Sequence, residues 1–457
     1  MHPTGPTETT GRADDPTAAP VAPAARPDRF VVRPNGPLGG TIRAGGAKNS
    51  ALKLMTACLL AEGRHELANV PRIVDVDIMA EVLTALGATV DRRGDGVLVV
   101  DVPPPSSLVP EAPYDLVERM RASIVVLGPL LARCGHARVS MPGGDDFGTR
   151  PIDFHLNGLT AMGARFETAH GYVEGIVGGS PGGAGAGGRP ARLVGSRIVL
   201  EYPSHTATDN LLMAAVLAKG TTVIENAARE PEVCDLAAML NAMGACVRGA
   251  GTSRIEVEGV ESLQPVRHAV IADRVVVSTY LAAVGLAGGE VIVEDARADH
   301  VEMLLRKVAD MGVRVEQRPD GLLLAASGRL RSVDVSTLPY PGVATDYKPF
   351  LVTMLTVADG VGIVTENIYS GRFRYIDELR RMGADVRTEG HHAVVRGVPR
   401  LSGAPVRASD IRAGAALVLA GLVAEGETEV SGAAHVDRGY EDLAASLRAL
   451  GASVERR

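Results

Sequence analysis

Residues 375–387 read YIDELRRMGADVR, and the pattern in this stretch organises the whole chain. Apolar residues at helical spacing lead up to Met382, and Gly383 stands where a glycine commonly ends a helix in the left-handed conformation. The residues that follow, from Ala384 to Arg387, favour a strand. The stretch therefore predicts a helix, a glycine cap and a strand in that order.

The same cap element closes an amphipathic helix six times along the chain. It reads Leu or Met, then Gly, then Ala or Val, at residues 86–88, 162–164, 243–245, 311–313, 382–384 and 450–452. A second, wholly apolar helix lies upstream in most units and feeds another strand, as at residues 211–224. Repeats of roughly 70 to 80 residues are longer than those of solenoids, which run from roughly 20 to 47. Six units predict two α/β domains of three units each, with buried helices and a cleft between the domains.

Length and composition narrow the class of protein. A chain of 457 residues exceeds what one core usually organises. No run reaches the roughly 18 uncharged apolar residues of a membrane helix, so we expect a soluble, cytoplasmic protein without membrane contact. The net charge of −7, with both signs interspersed, offers no basic stripe for nucleic acid. The four cysteines form no C-x-x-C pair, which predicts neither a disulfide framework nor a zinc site.

Two segments lack the composition of a regular element. Residues 1–28 are rich in Pro, Thr and Ala and contain no secretory signal, so we expect a disordered N-terminal tail. Residues 178–188 are mostly glycine, which is costly to order, and predict a flexible loop between strands.

Several cations stand where apolar helices begin. Lys48 and Asn49 precede a helix predicted to start near Ser50. The other cations at turns or helix starts are Arg121, Arg150, Arg412 and Arg438. Helix N-termini already favour anions, so added cations indicate phosphate or carboxylate ligands. Any one of them alone could be a solvated charge, but five together favour an anion site.

Two aspartates are candidates for acid–base chemistry. Asp145 stands in the glycine loop PGGDDFG at residues 142–148, which could equally be a surface turn. Asp346, in the segment ATDYK at residues 344–348, could equally be a helix N-cap. The residues alone leave both alternatives open.

Taken together, the motifs resemble the bacterial UDP-N-acetylglucosamine enolpyruvyl transferases. The resemblance runs from about Val31 to the C-terminus. It is carried by RAGGAKNS at 43–50, RASI at 121–124, GPL at 128–130, PGG at 142–144, ENAAREPE at 225–232, TEN at 365–367 and DRGY at 437–440. It implies two inverse α/β domains, each of three repeated βαβαββ-type units around buried helices. The implied domains are 47–271, carrying a mobile Asp145 loop, and 29–46 plus 272–457, with the active site in the cleft between them.

The resemblance also implies the chemistry. In this family a hydroxyl attacks C2 of phosphoenolpyruvate while C3 is protonated, and phosphate then leaves. Asp346 resembles the base, and Asp145 stands at the position of the proton donor. Lys48, Arg150 and Arg438 resemble the cationic cradle, supported by Arg121 and Arg412. Phosphoenolpyruvate is a co-substrate, and no metal or other cofactor is implied.

Acceptor contacts are implied residue by residue. Asn49 and Thr345 resemble contacts to the sugar, and Ile368 and Asp410 are further implied contacts. The segment that holds the uracil ring corresponds to Arg150, Pro151, Ile152, Asp153 and Phe154. The loop near the nucleotide diphosphate corresponds to Ser204, His205 and Thr206. The sequence gives no oligomeric state.

Two positions depart from the family pattern. Most members carry Cys where this chain has Asp145, and the antibiotic fosfomycin alkylates that Cys, so we expect resistance to it. The family typically reads Ser-Val-Gly where this chain has Ser204, His205 and Thr206. Threonine restricts close backbone approach, and histidine adds a polar group, so the acceptor site could differ.

Three hypotheses for function remain open. The first is enolpyruvyl transfer to the 3-hydroxyl of UDP-N-acetylglucosamine in peptidoglycan precursor synthesis. The second keeps the chemistry but uses UMP or another uridine nucleotide, as in relatives that serve nucleoside-antibiotic pathways. The third is a catalytically silent nucleotide-binding regulator. Retention of Lys48, Arg150, Asp346 and Arg438 argues against the third.

Overall fold

Six four-stranded sheets, one for each repeated unit, form the frame of the molecule. The computed structural model describes residues 28–141, 151–178, 191–369 and 371–457. The predictions for the N-terminal tail and for the glycine-rich insertion fall on residues 1–27 and 179–190, which lie outside the described residues.

The described ranges contain 14 α-helices and 26 strands. The helices are α1 (Lys48–Ala57), α2 (Val74–Ala85), α3 (Tyr114–Arg119), α4 (Leu127–Cys134), α5 (Asp153–Ala161), α6 (His205–Ala215), α7 (Pro231–Ala242), α8 (Arg274–Ala287), α9 (Glu302–Met311), α10 (Lys348–Val357), α11 (Ile376–Arg381), α12 (Ile411–Gly421), α13 (Ala433–Asp437) and α14 (Leu443–Ala449). Short 3₁₀ helices cover Cys58–Leu60, Gly94–Gly96, Pro105–Ser107, Arg121–Val126 and Ala298–His300.

The strands are mostly short. They are β1 (Arg29–Arg33), β2 (Leu38–Arg43), β3 (Gly63–Ala68), β4 (Thr89–Arg92), β5 (Leu98–Val102), β6 (Glu111–Ala112), β7 (His136–Ser140), β8 (Ala164–Ala169), β9 (Tyr172–Val177), β10 (Arg197–Val199), β11 (Thr221–Glu225), β12 (Cys246–Arg248), β13 (Arg254–Glu258), β14 (Arg267–Ala269), β15 (Gly289–Glu294), β16 (Arg314–Arg318), β17 (Gly321–Ala326), β18 (Val335–Ser336), β19 (Val361–Thr365), β20 (Asp385–Glu389), β21 (His392–Arg396), β22 (Leu401–Ser402), β23 (Pro405–Arg407), β24 (Ala424–Glu425), β25 (Thr428–Ser431) and β26 (Ser453–Arg456).

Each four-stranded sheet has the same pattern of one parallel and two antiparallel pairings. In the order β10-β11-β13-β12, β10 runs parallel to β11, and the other neighbours are antiparallel. Helix α6 follows β10 and helix α7 follows β11, which gives the βαβαββ order. The predicted fold class is therefore confirmed. Two sheets take a strand from the N-terminus, since β1 pairs with β25 and β2 pairs with β15.

The six repeated glycines are helix caps with a conformational reason for being glycine. Their φ values lie between 87° and 108°, in the left-handed region that a Cβ disfavours. At each of these glycines a helix ends, and the chain continues into a strand of the same repeated unit. The local signal at Gly383 therefore repeats at all six positions.

Two separate hydrophobic cores lie among the described residues. One is built from residues between Ala47 and Val270, and the other from residues 30–44 together with 275–454. Helices such as α6 and α12 are buried along nearly their whole length, because the sheets cover them on the outside. The predicted domain limits stay a prediction, with which this separation is compatible. Among the described helices, none is long and apolar enough to cross a bilayer.

Candidate active site

A cavity of about 300 Å³ lies between the two cores and collects most of the predicted site residues. From the first core region its walls include Lys48, Asn49, Lys53, Asp75, Arg121, Ser204, His205, Thr206 and Glu230. From the second they include Arg274, Thr345, Asp346, Ile368, Arg372, Arg412 and Arg438. Charged residues far apart in sequence thus face one partly open cavity.

Asp75 holds two of the predicted cations. Its carboxylate accepts from Lys48 Nζ at 2.6 Å and from Arg438 Nε at 2.9 Å. Burial alone would raise the pKa of Asp75, but the charges of Lys48 and Arg438 outweigh burial and hold the pKa below its usual range. Asp75 lies in the first turn of α2, whereas Arg438 follows α13, so this contact joins elements of the two core regions.

Asp346 holds a second pair of cations. Its Oδ1 accepts from Arg372 Nη1 at 2.6 Å, and its Oδ2 lies 3.8 Å from Arg412 Nε. Burial would raise the pKa of Asp346, but Arg372 and Arg412 outweigh burial and hold the pKa far below its usual range. Tyr347, not Asp346, precedes the first residue of α10, and Asp346 makes no cap hydrogen bond there. The helix-cap alternative for Asp346 is therefore wrong.

Arg412 carries spare hydrogen-bonding capacity in the cavity wall. It stands in the first turn of the buried helix α12 and is 3% exposed. Its Nη1 is buried and has no hydrogen-bond partner among the described residues. A buried guanidinium donor without a partner is costly, so an anion from a ligand suits this position.

Arg274 and Glu232 form a buried ion pair beside the same cavity. Arg274 Nε donates to Glu232 at 2.9 Å, and its Nη1 donates to the Tyr347 hydroxyl at 2.9 Å. Burial would raise the pKa of Glu232, but Arg274 outweighs it and holds that pKa at about 2. The pair therefore stays charged and fixes the start of α8 against the segment before α10.

Thr345 and Ile368 belong to one hydrogen-bonded corner. Thr345 Oγ1 donates to Glu366 Oε2 at 2.8 Å and accepts from Arg372 Nη1 at 3.2 Å. The backbone N–H of Ile368 donates to Glu366 Oε1 at 2.8 Å. Lys348 Nζ, also 2.8 Å from Glu366, neutralises that buried carboxylate. The corner orients Thr345 and Asp346 next to each other.

The segment that departs from the family's Ser-Val-Gly pattern, Ser204 to Thr206, lies at the start of α6. Ser204 is the N-cap and accepts from the backbone N–H of Ala207 at 3.4 Å. Thr206 Oγ1 lies 3.4 Å from His155 Nε2, and Asn210 donates to His155 Nδ1 at 2.9 Å. Burial lowers the pKa of His155 to about 3, so the ring is neutral. Ser204, His205 and Thr206 all line the cavity, and their contact with an acceptor stays a prediction.

Residues 151–154 of the predicted uracil segment are not among the residues that line the cavity. They lie next to it. Arg121 lines the cavity, and its Nη2 donates to the backbone carbonyl of Pro151 at 3.3 Å. Ile152 precedes α5, which begins with Asp153 and Phe154. Arg121 thus ties this segment to the cavity wall.

Three predicted residues need separate mention. Asp410 does not line the cavity. It caps α12, because its Oδ1 accepts from the backbone N–H groups of Arg412 and Ala413 at 2.9 and 3.0 Å. Asp145 and Arg150 lie in residues 142–150, outside the described residues.

Several cavity residues were not among the predicted ones, and four of them are buried charged residues. Asp75, Arg372, Arg274 and Lys53 line the cavity through side chains that are mostly buried. A signal was available for Lys53 and Asp75, since each charge interrupts an apolar helix, but their partners are distant in sequence. Within the described ranges, no group of three or more His, Cys, Asp or Glu side chains is placed to hold a metal ion.

Known proteins place this fold and site in a family. The chain matches the profile of EPSP synthase (3-phosphoshikimate 1-carboxyvinyltransferase) over residues 32–447. It is 48% identical to UDP-N-acetylglucosamine 1-carboxyvinyltransferase of Mycobacterium leprae, over 94% of this chain and 99% of that protein. The corresponding enzyme of Nocardia farcinica is also 48% identical, over 94% of this chain and 98% of that protein.

Solved structures agree with the sequence relatives. The crystal structure of the enolpyruvyl transferase NikO from Streptomyces tendae matches with a TM-score of 0.82 and 27% identity, over 94% of this chain and 99% of that one. EPSP synthase from Acinetobacter baumannii shares the fold, with a TM-score of 0.71 and 20% identity, over 94% of this chain and all of that one. The resemblance drawn from the motifs is confirmed, and the chain belongs to the EPSP synthase family of enolpyruvyl transferases.

Proposed function

We propose that this protein transfers the enolpyruvyl group of phosphoenolpyruvate to the 3-hydroxyl of UDP-N-acetylglucosamine and releases phosphate, in peptidoglycan precursor synthesis. The observation that carries the proposal is that the carboxylate of Asp346 lines one cavity together with the cations Lys48, Arg412 and Arg438. Relatives that are 47 to 48% identical along nearly the whole chain bear the name of this activity.

The reaction has two steps in which atoms and charges balance. In the addition, the acceptor oxygen bonds to C2 of phosphoenolpyruvate, Asp346 takes the hydroxyl proton, and Asp145 gives a proton to C3. In the elimination, C3 loses a proton and the bond from C2 to the phosphate oxygen breaks, which restores the double bond. The products are the enolpyruvyl ether and inorganic phosphate.

Asp346 must become a stronger base than its pairing with Arg372 and Arg412 alone would allow. Arg372 and Arg412 hold its pKa far below the usual range, which makes proton uptake unfavourable. An anionic substrate next to Arg412 would offset part of that positive charge and raise the pKa of Asp346. The base would then be activated when phosphoenolpyruvate is bound.

The cations supply the second contribution to rate. Negative charge moves onto the departing phosphate during the reaction, and fixed cations in an enclosed site stabilise it without reorganisation. Lys48 and Arg438 are already oriented by Asp75, at 2.6 and 2.9 Å. We assign them to phosphoenolpyruvate, together with Arg412 and with Arg150, which follows the glycine loop.

UMP or another uridine nucleotide is the second candidate acceptor. The observation in its favour is that the side chains of His205 and Thr206 line the cavity, which a Val-Gly pair would leave more open. A smaller acceptor would fit a cavity narrowed in this way. The structural likeness to NikO, an enolpyruvyl transferase 27% identical to this chain, supports the same chemistry without deciding between acceptors.

Phosphate release from phosphoenolpyruvate tests both candidates. The assay is run with UDP-N-acetylglucosamine and, separately, with UMP. Asp346→Asn should lose most of the activity, and Asp320→Asn, in the exposed turn between β16 and β17, is the matched control that should keep it. Release with UMP alone would favour the second candidate. No release with either nucleotide would refute both and favour the silent nucleotide-binding hypothesis.

A further inference from the structure

Lys53, His205 and Asp209 form a polar cluster in the cavity wall that the proposed chemistry does not use. Asp209 Oδ2 lies 3.4 Å from Lys53 Nζ and 3.4 Å from His205 Nε2. Lys53 is on α1, whereas His205 and Asp209 are one turn apart on α6. Lys53 and His205 line the cavity, and the Asp209 side chain is 1% exposed.

The cluster is incomplete within the part of the protein that the structure describes. Both carboxylate oxygens of Asp209 and Nε2 of His205 are buried and have no hydrogen-bond partner there. Such atoms are rare in proteins, because a buried polar atom without a hydrogen bond destabilises the fold. The 3.4 Å contacts are also long beside the 2.6 Å between Lys48 and Asp75. A group that both donates and accepts hydrogen bonds would complete the cluster.

Stability does not explain these residues. Lys53 and Asp209 interrupt two helices whose other buried residues are largely apolar or uncharged. Replacing a buried ion pair by apolar residues of similar volume is often neutral or stabilising. An ion pair kept at this position, in the wall of the substrate cavity, therefore points to a ligand.

The charge of the cluster indicates what kind of group it binds. The opposite charges of Lys53 and Asp209 offset each other. Burial, and after it the charge of Lys53, lowers the pKa of His205 to about 3, so the imidazole is neutral at pH 7. Burial raises the pKa of Asp209 to about 6, against the effect of Lys53, so its carboxylate is mostly ionised at that pH. A cluster without net charge suits a neutral hydroxyl better than a phosphate.

We propose that Lys53, His205 and Asp209 form a subsite for a hydroxyl group on the sugar of the acceptor, with His205 as the contacting residue. The proposal rests on the transferase function proposed above and names a residue that determines acceptor specificity. His205 and Asp346 line the same cavity, so the subsite shares its wall with the base that would take the proton from the attacking hydroxyl.

Binding of UDP-N-acetylglucosamine, measured by isothermal titration calorimetry without phosphoenolpyruvate, tests the subsite. Calorimetry suits a chain that contains no tryptophan. His205→Val should weaken binding about 10- to 100-fold, as expected when a buried polar contact to a substrate hydroxyl is lost. His205→Asn should recover part of that loss, and the KM for phosphoenolpyruvate should change less than about twofold. His65→Val, which removes a buried imidazole outside the cavity, is the matched control.

A double variant separates recognition from folding. Lys53→Met with Asp209→Leu replaces the ion pair by apolar residues of similar volume, so the protein should fold with a similar Tm. Its affinity for UDP-N-acetylglucosamine should nevertheless fall at least about tenfold. Wild-type affinity in this variant, or in His205→Val, would overturn the subsite.

The same titrations distinguish failure of the subsite from failure of the proposed function. If the wild type releases phosphate with UDP-N-acetylglucosamine and the variants bind this nucleotide as tightly as the wild type does, the subsite alone is refuted. If the wild type binds and uses UMP instead, the proposed acceptor is refuted, and weaker UMP binding by His205→Val would support a subsite for a ribose hydroxyl. If the wild type binds neither nucleotide, both proposals are refuted.

Discussion

Replacing Asp75 by asparagine should destabilise the empty enzyme and, at the same time, improve its binding of a free anion. The Asp75 side chain is 2% exposed and pairs with Lys48 at 2.6 Å and Arg438 at 2.9 Å. Its folded-state pKa lies below the usual value, so the carboxylate is ionised and its contribution is fully present at neutral pH. That contribution is lost only as the pH falls through the folded pKa.

The structure sets the size of the effect. Removing one partner of a buried ion pair costs about 3–5 kcal/mol, because the remaining charge is left uncompensated. We expect about 3 kcal/mol, at the low end, because the Lys48 and Arg438 side chains are 11% and 17% exposed and an asparagine oxygen still accepts one hydrogen bond. Inorganic phosphate should bind the variant more tightly, since it no longer competes with the internal carboxylate.

Urea unfolding and phosphate titration measure the two effects, and the chain offers a close control. Asp77 stands two residues along α2, its side chain is 63% exposed, and it contacts Arg92 at 3.3 Å. Exposed pairs contribute only about 0–1 kcal/mol, so Asp77→Asn should change little. Equal losses of stability in Asp75→Asn and Asp77→Asn, or unchanged phosphate affinity in Asp75→Asn, would refute the reasoning.

Three further predictions concern pH and the glycine loop. Because burial lowers the pKa of His155 from 6.5 to about 3, protonation opposes folding, and the contribution of His155 to the free energy of unfolding should fall by about 2 kcal/mol between pH 7 and pH 5. His155→Gln should show a correspondingly smaller loss in urea unfolding at the two pH values. Asp145→Asn should lower the kcat for phosphate release at least about 100-fold with little change in nucleotide affinity, and full turnover would remove the assignment. Fosfomycin should cause no time-dependent inactivation of the wild type but should inactivate Asp145→Cys.

The fold was predictable because its signal is local. A glycine with positive φ after each helix, as at Gly383, is written into three consecutive residues and recurs in all six units. The βαβαββ order followed from the resemblance to a known family. No local signal predicts that β1 pairs with β25 or that β2 pairs with β15, because the paired strands are far apart in sequence.

The site was predictable only in part, because ion pairs join distant residues. Arg438 was predicted as a cation, but its partner Asp75 lies 363 residues away and has no motif of its own. Asp410 was predicted as a substrate contact, although an aspartate directly before an apolar helix is also the usual N-cap signal, and it caps α12. Asp346 was left open as a cap, but Tyr347 is the residue before α10 and no side chain caps that helix.

The charges around the cavity fit the proposed role of its internal carboxylates. Asp75 neutralises Lys48 and Arg438 in part, and Asp346 does the same for Arg372 and Arg412, so this group has four cations and two carboxylates. Its surplus of two positive charges suits phosphoenolpyruvate, whose phosphate alone carries about −1.5 to −2. In the proposed mechanism, binding exchanges internal for external anions, so the cations stay oriented throughout. Binding also offsets part of the positive charge that lowers the pKa of Asp346, and phosphoenolpyruvate would thereby activate the proposed base.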